Sequence, residues 1–239
     1  MTWSIVVRDA ATGALAVAVT TKALAVGASC PYVRRGVGAV STQSMTNRYL
    51  GPAVLDALAE GLTPEAAIAR ALGPDEGRGI RQVHCVDAMG RTAQWTGGNC
   101  VAWCGSVAGD GLSIAGNMLS GAAVIEATRD AYTAAAPLAL PERLLAALDA
   151  GEAAGGDRRG RQSAAMQIIT TEDFPDLDLR VDDHAAPLVE LRRLVDLWGR
   201  QWAARRTWAP TRANPSGSAD LDAIDAAWAA QGLDIRFTR

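Results

Sequence analysis

The order in which hydrophobic periodicity changes along the chain is the strongest constraint on its fold. Apolar runs suited to strands come first, at Ile5 to Val7, Leu15 to Val19 and Val37 to Thr42. Two helical segments follow, Tyr49 to Glu60 and Pro64 to Leu72, with Thr63-Pro64 as a start signal and Gly61 and Gly73 as stops. A second strand group then reads as a meander: Gln82 to Val86, Thr92 to Thr96, weaker extended segments to Gly109, and Leu112 to Asn117. Helices at Gly121 to Ala135, with Ser120 as the expected cap, and at Pro141 to Ala154 precede strands at Ser163 to Thr170 and Leu177 to Asp182. A long amphipathic helix covers Leu188 to Arg206. Helices therefore arrive in pairs between groups of strands, which argues against a doubly wound parallel sheet and for two sheets, each covered by helices. Residues 1–206 read as one domain. Residues 207–239 read as a linker rich in small polar residues and proline, then a short helix from Leu221 to Gln231.

The first two runs flank Asp9-Ala10-Ala11-Thr12-Gly13 and read as a hairpin. A five-residue loop pairs Arg8 with Ala14 and sets Thr2 opposite Thr20. Lys22 is then one diagonal step away, about 7 to 8 Å, on the face that Thr2 shares. Lys22 is the only lysine; the other basic residues are arginine, which stays charged at any working pH. The pattern predicts that the Thr2 hydroxyl and the lone ammonium meet at the open end of the hairpin. A solvated strand end in an arginine-rich chain is the competing reading.

A length of 239 residues suffices for a substantial core, and the net charge of −3, without a basic tail, argues against general nucleic-acid affinity. No apolar run approaches a membrane span and the first residues enter a strand, so a soluble, cytoplasmic protein is expected. Cysteines at 30, 85, 100 and 104 then read as reduced thiols. No metal is expected: His84 and Cys85 alternate across a strand, and Cys100 and Cys104 would be about 13 Å apart if extended.

Three further segments carry candidate chemistry. The loop Gly155 to Ser163 holds Asp157, Arg158, Arg159, Arg161 and Gln162 between glycines, a setting suited to a carboxylate or phosphate, or to internal ion pairs. Asp178, Arg180, Asp182 and His184 alternate against Leu177, Leu179 and Val181, which fits a salt ladder better than an acid–base array, leaving Asp183 and His184 open. Gly116 to Gly121 joins a strand to a helix, where backbone N–H groups and Asn117 could hold an anion. Gln43 and Asn47 belong to a polar loop after a strand, and His84, inside an apolar strand, reads as structural.

Taken together, Thr2 to Asp9, Lys22 to Gly27, Gly36 to Gln43, Gly116 to Leu119, Gly160 to Ala165 and Leu179 to His184 resemble the domain-of-unknown-function family 1028, in order, from Thr2 to about Val195. That family is similar to the N-terminal nucleophile (Ntn) hydrolases. The resemblance implies an α+β fold, a four-layer αββα sandwich of two mainly antiparallel sheets. It also implies a nucleophilic first residue of the mature chain whose α-amine is the base. Removal of Met1 would leave Thr2 in front, with Lys22 as electrostatic partner and Asn117 as oxyanion donor.

The expected function is hydrolysis of an amide or related carbonyl in a small molecule. Gln43, Asn47, Asp157, Arg159, Arg161, Gln162, Ser163, Asp183 and His184 are the candidate substrate contacts. No cofactor, nucleic acid or membrane partner is expected, and a homo-oligomer is in keeping with the family. Competing readings are a hydrolase that does not use Thr2 and a noncatalytic anion-binding or assembly protein.

Overall fold

Asp9 sets the first hairpin. In the computed structural model, which describes residues 2–237, its N–H donates to Ala14 O at 2.8 Å and its carboxylate accepts from Thr12 N and Thr12 Oγ1. Gly13 takes the left-handed conformation, φ 73°, that brings the chain back. Asp9 thus faces Ala14 just past the strand ends, and the turn between those two residues, 10–13, is one residue shorter than the expected loop. Strands β1 (Thr2–Arg8) and β2 (Leu15–Thr21) pair Arg8 with Leu15 and Trp3 with Thr20. This corrects the Arg8–Ala14 register. A slip of one residue exchanges faces, so Thr21, and not Lys22, shares the face of Thr2.

All strand pairs are antiparallel. The larger sheet has the order β10-β9-β2-β1-β8-β7, with β7 at Gly105–Gly109, β8 at Leu112–Asn117, β9 at Ser163–Ile169 and β10 at Leu177–Val181. The smaller has the order β3-β4-β5-β6, with β3 at Pro31–Arg34, β4 at Gly38–Ser44, β5 at Arg81–Asp87 and β6 at Thr92–Thr96. β3 was not anticipated, because four residues beginning with proline and ending in arginine give little periodic signal. β4 runs further than expected and takes in Gln43 and Ser44, which corrects their assignment to a loop; Ser44, at φ 73°, ends it.

Helices α1 (Leu50–Ala59) and α2 (Pro64–Leu72) cover the outer face of the smaller sheet, through Leu50, Val54, Ile68 and Leu72 against Val40, Val83 and Cys85. Thr63 caps α2 by accepting from Ala66 N. Helices α3 (Ala123–Ala134) and α4 (Leu140–Ala153) cover the larger sheet, α3 against β8 and α4 against β2. Ser120 does not cap α3: its hydroxyl donates to Ala154 O, and Ala122 is the cap residue without a side-chain bond. Trp3 is fully buried on this outer face. A Cβ at Gly151 of α4 would lie 2.8 Å from its Nε1 and 2.4 Å from Thr128 Oγ1, so only glycine fits there.

The layer between the sheets changes character along the strands. At one end Val6, Leu15, Val17, Ala39, Val86 and Ile169 form an apolar cluster. Towards the start of β1 the buried residues are Thr2, Ser4, Gln43, Gln82, His84, Ser113 and Asn117. Six α-helices and two short 3-10 helices occur among the described residues.

A second compact unit begins at Arg192, within α5 (Pro187–Arg205), and contains α6 (Leu221–Ala230). Its core is Ala204, Ile224 and Trp228 with Trp208, Leu233 and Ile235. Asp220 caps α6 by accepting from Ala223 N at 3.0 Å. Among the described residues no helix is long and apolar enough to cross a membrane, and no group of three His, Cys, Asp or Glu side chains could hold a metal ion. The four cysteines are free thiols.

Candidate active site at the start of β1

Thr2 opens a strand in the interior of the larger sheet, with β2 on one side and β8 on the other. Its side chain is buried on the inter-sheet side, and Oγ1 donates to Thr21 Oγ1 at 3.1 Å. Asn117 stands directly opposite on β8; its Nδ2 donates to Gln82 Oε1 at 3.0 Å and reaches Thr2 O at 3.5 Å.

Most candidate residues gather at this end of the sheet. Asp157, only 5 % exposed, accepts from Lys22 N and Arg159 N, each at 2.8 Å, and from Arg159 Nη2 at 3.2 Å. Arg161 forms an ion pair with Glu152, and its carbonyl accepts from Lys22 Nζ at 3.2 Å. The Lys22 ammonium is therefore on the exposed side with Arg161, which corrects the expected meeting with Thr2. Gln162 donates from its backbone to Thr21 O and from its amide to Asp183 Oδ1. Ser163, across from Thr21, accepts from Val26 N and donates to Ala23 O.

Other expectations are redirected. His184 is exposed, and its Nδ1 accepts from Ala186 N. Arg180 and Asp182 pair with each other at 2.9 Å, two residues apart in one segment and not across strands as a salt ladder would. Asn47 donates to Asp75 Oδ2 at 2.8 Å, beside Arg81, and so serves a loop brace. Asp75 is held below the usual carboxylate range, first by Arg81 and then by Asn47. Of the expected anion site before α3, the N–H groups of Met118, Leu119 and Ser120 are already used: they donate to the carbonyls of Val101, Trp103 and Gly156.

Behind Thr2 lies a buried hydrogen-bond chain of fixed polarity. Gln94 Nε2 donates to Ser113 Oγ at 2.8 Å, and Ser113 Oγ lies 2.9 Å from His84 Nδ1. His84 Nε2 lies 2.7 Å from Ser4 Oγ, whose proton goes to Gln43 Oε1 at 2.7 Å. Because an amide oxygen only accepts, Ser4 must accept from His84, which assigns the neutral ring with its proton on Nε2. Gln43 Nε2 continues to Gln82 Oε1 at 2.9 Å, the atom that Asn117 also reaches. Burial lowers the His84 pKa to about 3. The sequence reading made His84 structural but missed this array. Its only local trace is that Gln82 and His84 alternate with Val83 and Cys85, placing polar side chains on one face of an otherwise apolar strand.

The sequence matches the model of a family of unknown function, DUF1028, over residues 2–191. This chain belongs to that family. The DUF1028 match begins where β1 begins and ends where the first compact unit ends. A crystal structure of a DUF1028 protein from Silicibacter pomeroyi is similar at 31% identity with a TM-score of 0.83, covering 92% of this chain and 99% of the other. No curated protein matches it.

Proposed function

We propose that this chain is an amidohydrolase of the N-terminal nucleophile type, in which Thr2, once Met1 is removed, is both nucleophile and base. The observation that carries this reading is the position of Thr2. It is the first residue of an interior strand, with its hydroxyl on the inter-sheet side between Thr21 and Asn117. A free α-amine has a pKa of about 7.7 to 8.0, so a useful share is neutral near pH 7 and can take the hydroxyl proton. Thr2 Oγ1 then adds to the amide carbonyl. The α-ammonium passes its proton to the departing amine, and water hydrolyses the resulting ester with the same amine as base.

The Asn117 amide, with one hydrogen committed to Gln82 and a long approach to Thr2 O, suits an oxyanion donor. Thr21 takes the neighbouring position expected of Lys22, and holds the nucleophile by its hydroxyl. The Arg159 and Arg161 side chains, 42% and 53% exposed beside their acids, favour a small substrate that also carries a carboxylate.

Intact-mass measurement of untagged protein, before and after exposure to a β-lactone, tests the reading. The expected result is a chain lacking Met1 that gains one acyl group on Thr2. Retention of Met1 on every molecule, or equal acylation of a Thr2→Ala variant, overturns it.

A further inference from the structure

The two sheets have four edge strands, and three of them are blunted. β3 begins at Pro31, which has no N–H, and ends at Arg34, paired with Asp56. β10 carries Asp178 and Arg180. On β7 the carbonyls of Gly105 and Val107 are taken by the side-chain amides of Gln82 and Gln94, at 3.3 and 2.7 Å. β6 has none of these protections: Thr-Ala-Gln-Trp-Thr contains no charge and no proline. An edge left bare in this way is a template for another strand.

The hydrogen-bond pattern identifies its open side. Asp87 N–H donates to Arg91 O and Gly97 N–H to Arg81 O, both at 2.9 Å. By alternation, positions 91, 93, 95 and 97 turn their backbone towards β5, and Thr92, Gln94 and Thr96 turn theirs outward. Among the described residues, these outward N–H and C=O groups have no backbone hydrogen-bond partner. Beside them lies a groove of about 530 Å³ between α2 and β6, walled by Ile68, Ala69, Leu72, Ala93 and Trp95 and edged by Glu65 and Arg78. The Trp95 side chain, on the same face, leaves the residue 38% exposed.

We propose that a second copy of this chain pairs β6 with β6, antiparallel, about a two-fold axis at Gln94, joining the two four-stranded sheets into one. In that register Thr92 meets the partner's Thr96 and Gln94 meets the partner's Gln94, so every outward backbone group finds a mate. Trp95, whose Nε1 donates to Arg78 O at 3.1 Å, stands opposite the partner's Ala93, where the exposed face of its indole extends the wall of the partner's groove beside α2. A two-fold contact requires one patch to be its own complement. This patch satisfies that requirement three times: its outward positions read Thr, Gln, Thr, it carries both indole and groove, and its rim holds both Glu65 and Arg78. That symmetry favours a second copy over an unrelated extended peptide.

Sedimentation velocity of the full chain, with hydrogen exchange, tests the interface. The expected species has twice the 24.9 kDa chain mass, with the Gln94 and Thr96 amides protected. Thr92→Pro removes one outward N–H at the first position of the strand, and Ala69→Glu sets a charge in the groove from an exposed helical site. Both variants are expected to sediment at the chain mass with unchanged far-UV circular dichroism, and in Ala69→Glu the two amides exchange about tenfold faster or more. If Thr92→Pro fails to fold, Ala69→Glu decides alone. A monomeric wild type overturns the proposal, as does a dimer that survives Ala69→Glu, or a dimer with freely exchanging Gln94 and Thr96. A monomer whose two amides become protected only when a β-strand peptide is added overturns it in favour of a peptide partner.

Discussion

Ser4 Oγ and His84 Nε2 lie 2.7 Å apart between the two sheets, joining the strand that begins with Thr2 to the centre of the smaller sheet. Removing the ring opens a cavity in a fully buried layer and takes one hydrogen bond each from Ser4 and Ser113, which keep only those with Gln43 and Gln94. His84→Ala is expected to cost about 2 to 4 kcal/mol, measured by urea denaturation. Nitrogen NMR of the wild type is expected to find the neutral ring with its proton on Nε2.

The His84 pKa, lowered to about 3, also sets a pH dependence. Its ordinary value is near 6.5, so the unfolded chain takes up the proton first as pH falls. The stabilising contribution is complete above about pH 6.5 and is lost as pH falls towards 3. Between pH 6 and 5, before most carboxylates titrate, stability should drop with a slope approaching 1.4 kcal/mol per pH unit, about one proton's worth. A foldable His84→Gln variant should lose that slope in the same denaturation series.

Gly151 sits where a Cβ would press on Thr128 Oγ1 and Trp3 Nε1, neither of which has room to move. Gly151→Ala should lower stability by about 1 to 3 kcal/mol in thermal or urea unfolding. The same change at Gly199, on an open part of α5, should not destabilise the chain.

Asp157 ties the loop before β9 to the end of β2 through Lys22 N and Arg159. Asp157→Ala should cost about 1 to 2 kcal/mol, since a part-buried N–H and a half-exposed guanidinium lose their acceptor. Asp157→Asn, which keeps an oxygen for Lys22 N, should cost less. Chemical denaturation of both variants distinguishes them.

On the proposed chemistry, Asn117→Ala should slow acylation of Thr2 by a β-lactone about 10²-fold, as loss of an oxyanion donor does. Lys22→Met should leave the rate unchanged, because the ammonium is bonded to Arg161 O on the exposed side. Time-resolved intact mass measures both. A loss with Lys22→Met equal to that with Asn117→Ala would restore the lysine to the site.

Periodicity by itself determined the order of most strands and of the helix pairs, and with it two helix-covered sheets, because burying one face leaves its mark on every second residue of a strand and every third or fourth of a helix. It also picked out the segments Thr2, Asn117, Asp157 to Ser163 and Asp183, which come together at one end of the larger sheet. Register was beyond its reach. Whether Arg8 pairs with Ala14 or with Leu15 goes with one backbone hydrogen bond, from Asp9 N to Ala14 O, and that register decides whether Thr21 or Lys22 turns towards Thr2. The polar chain through Ser4, Gln43, Gln82, His84, Ser113 and Asn117 was hidden for a related reason. Its members lie on four strands far apart in sequence, and each looks like an isolated polar residue until the two sheets stack face to face. Local pattern determined which residues are buried; only the tertiary structure, by pairing buried donors with buried acceptors across the sheets, decided which of them touch.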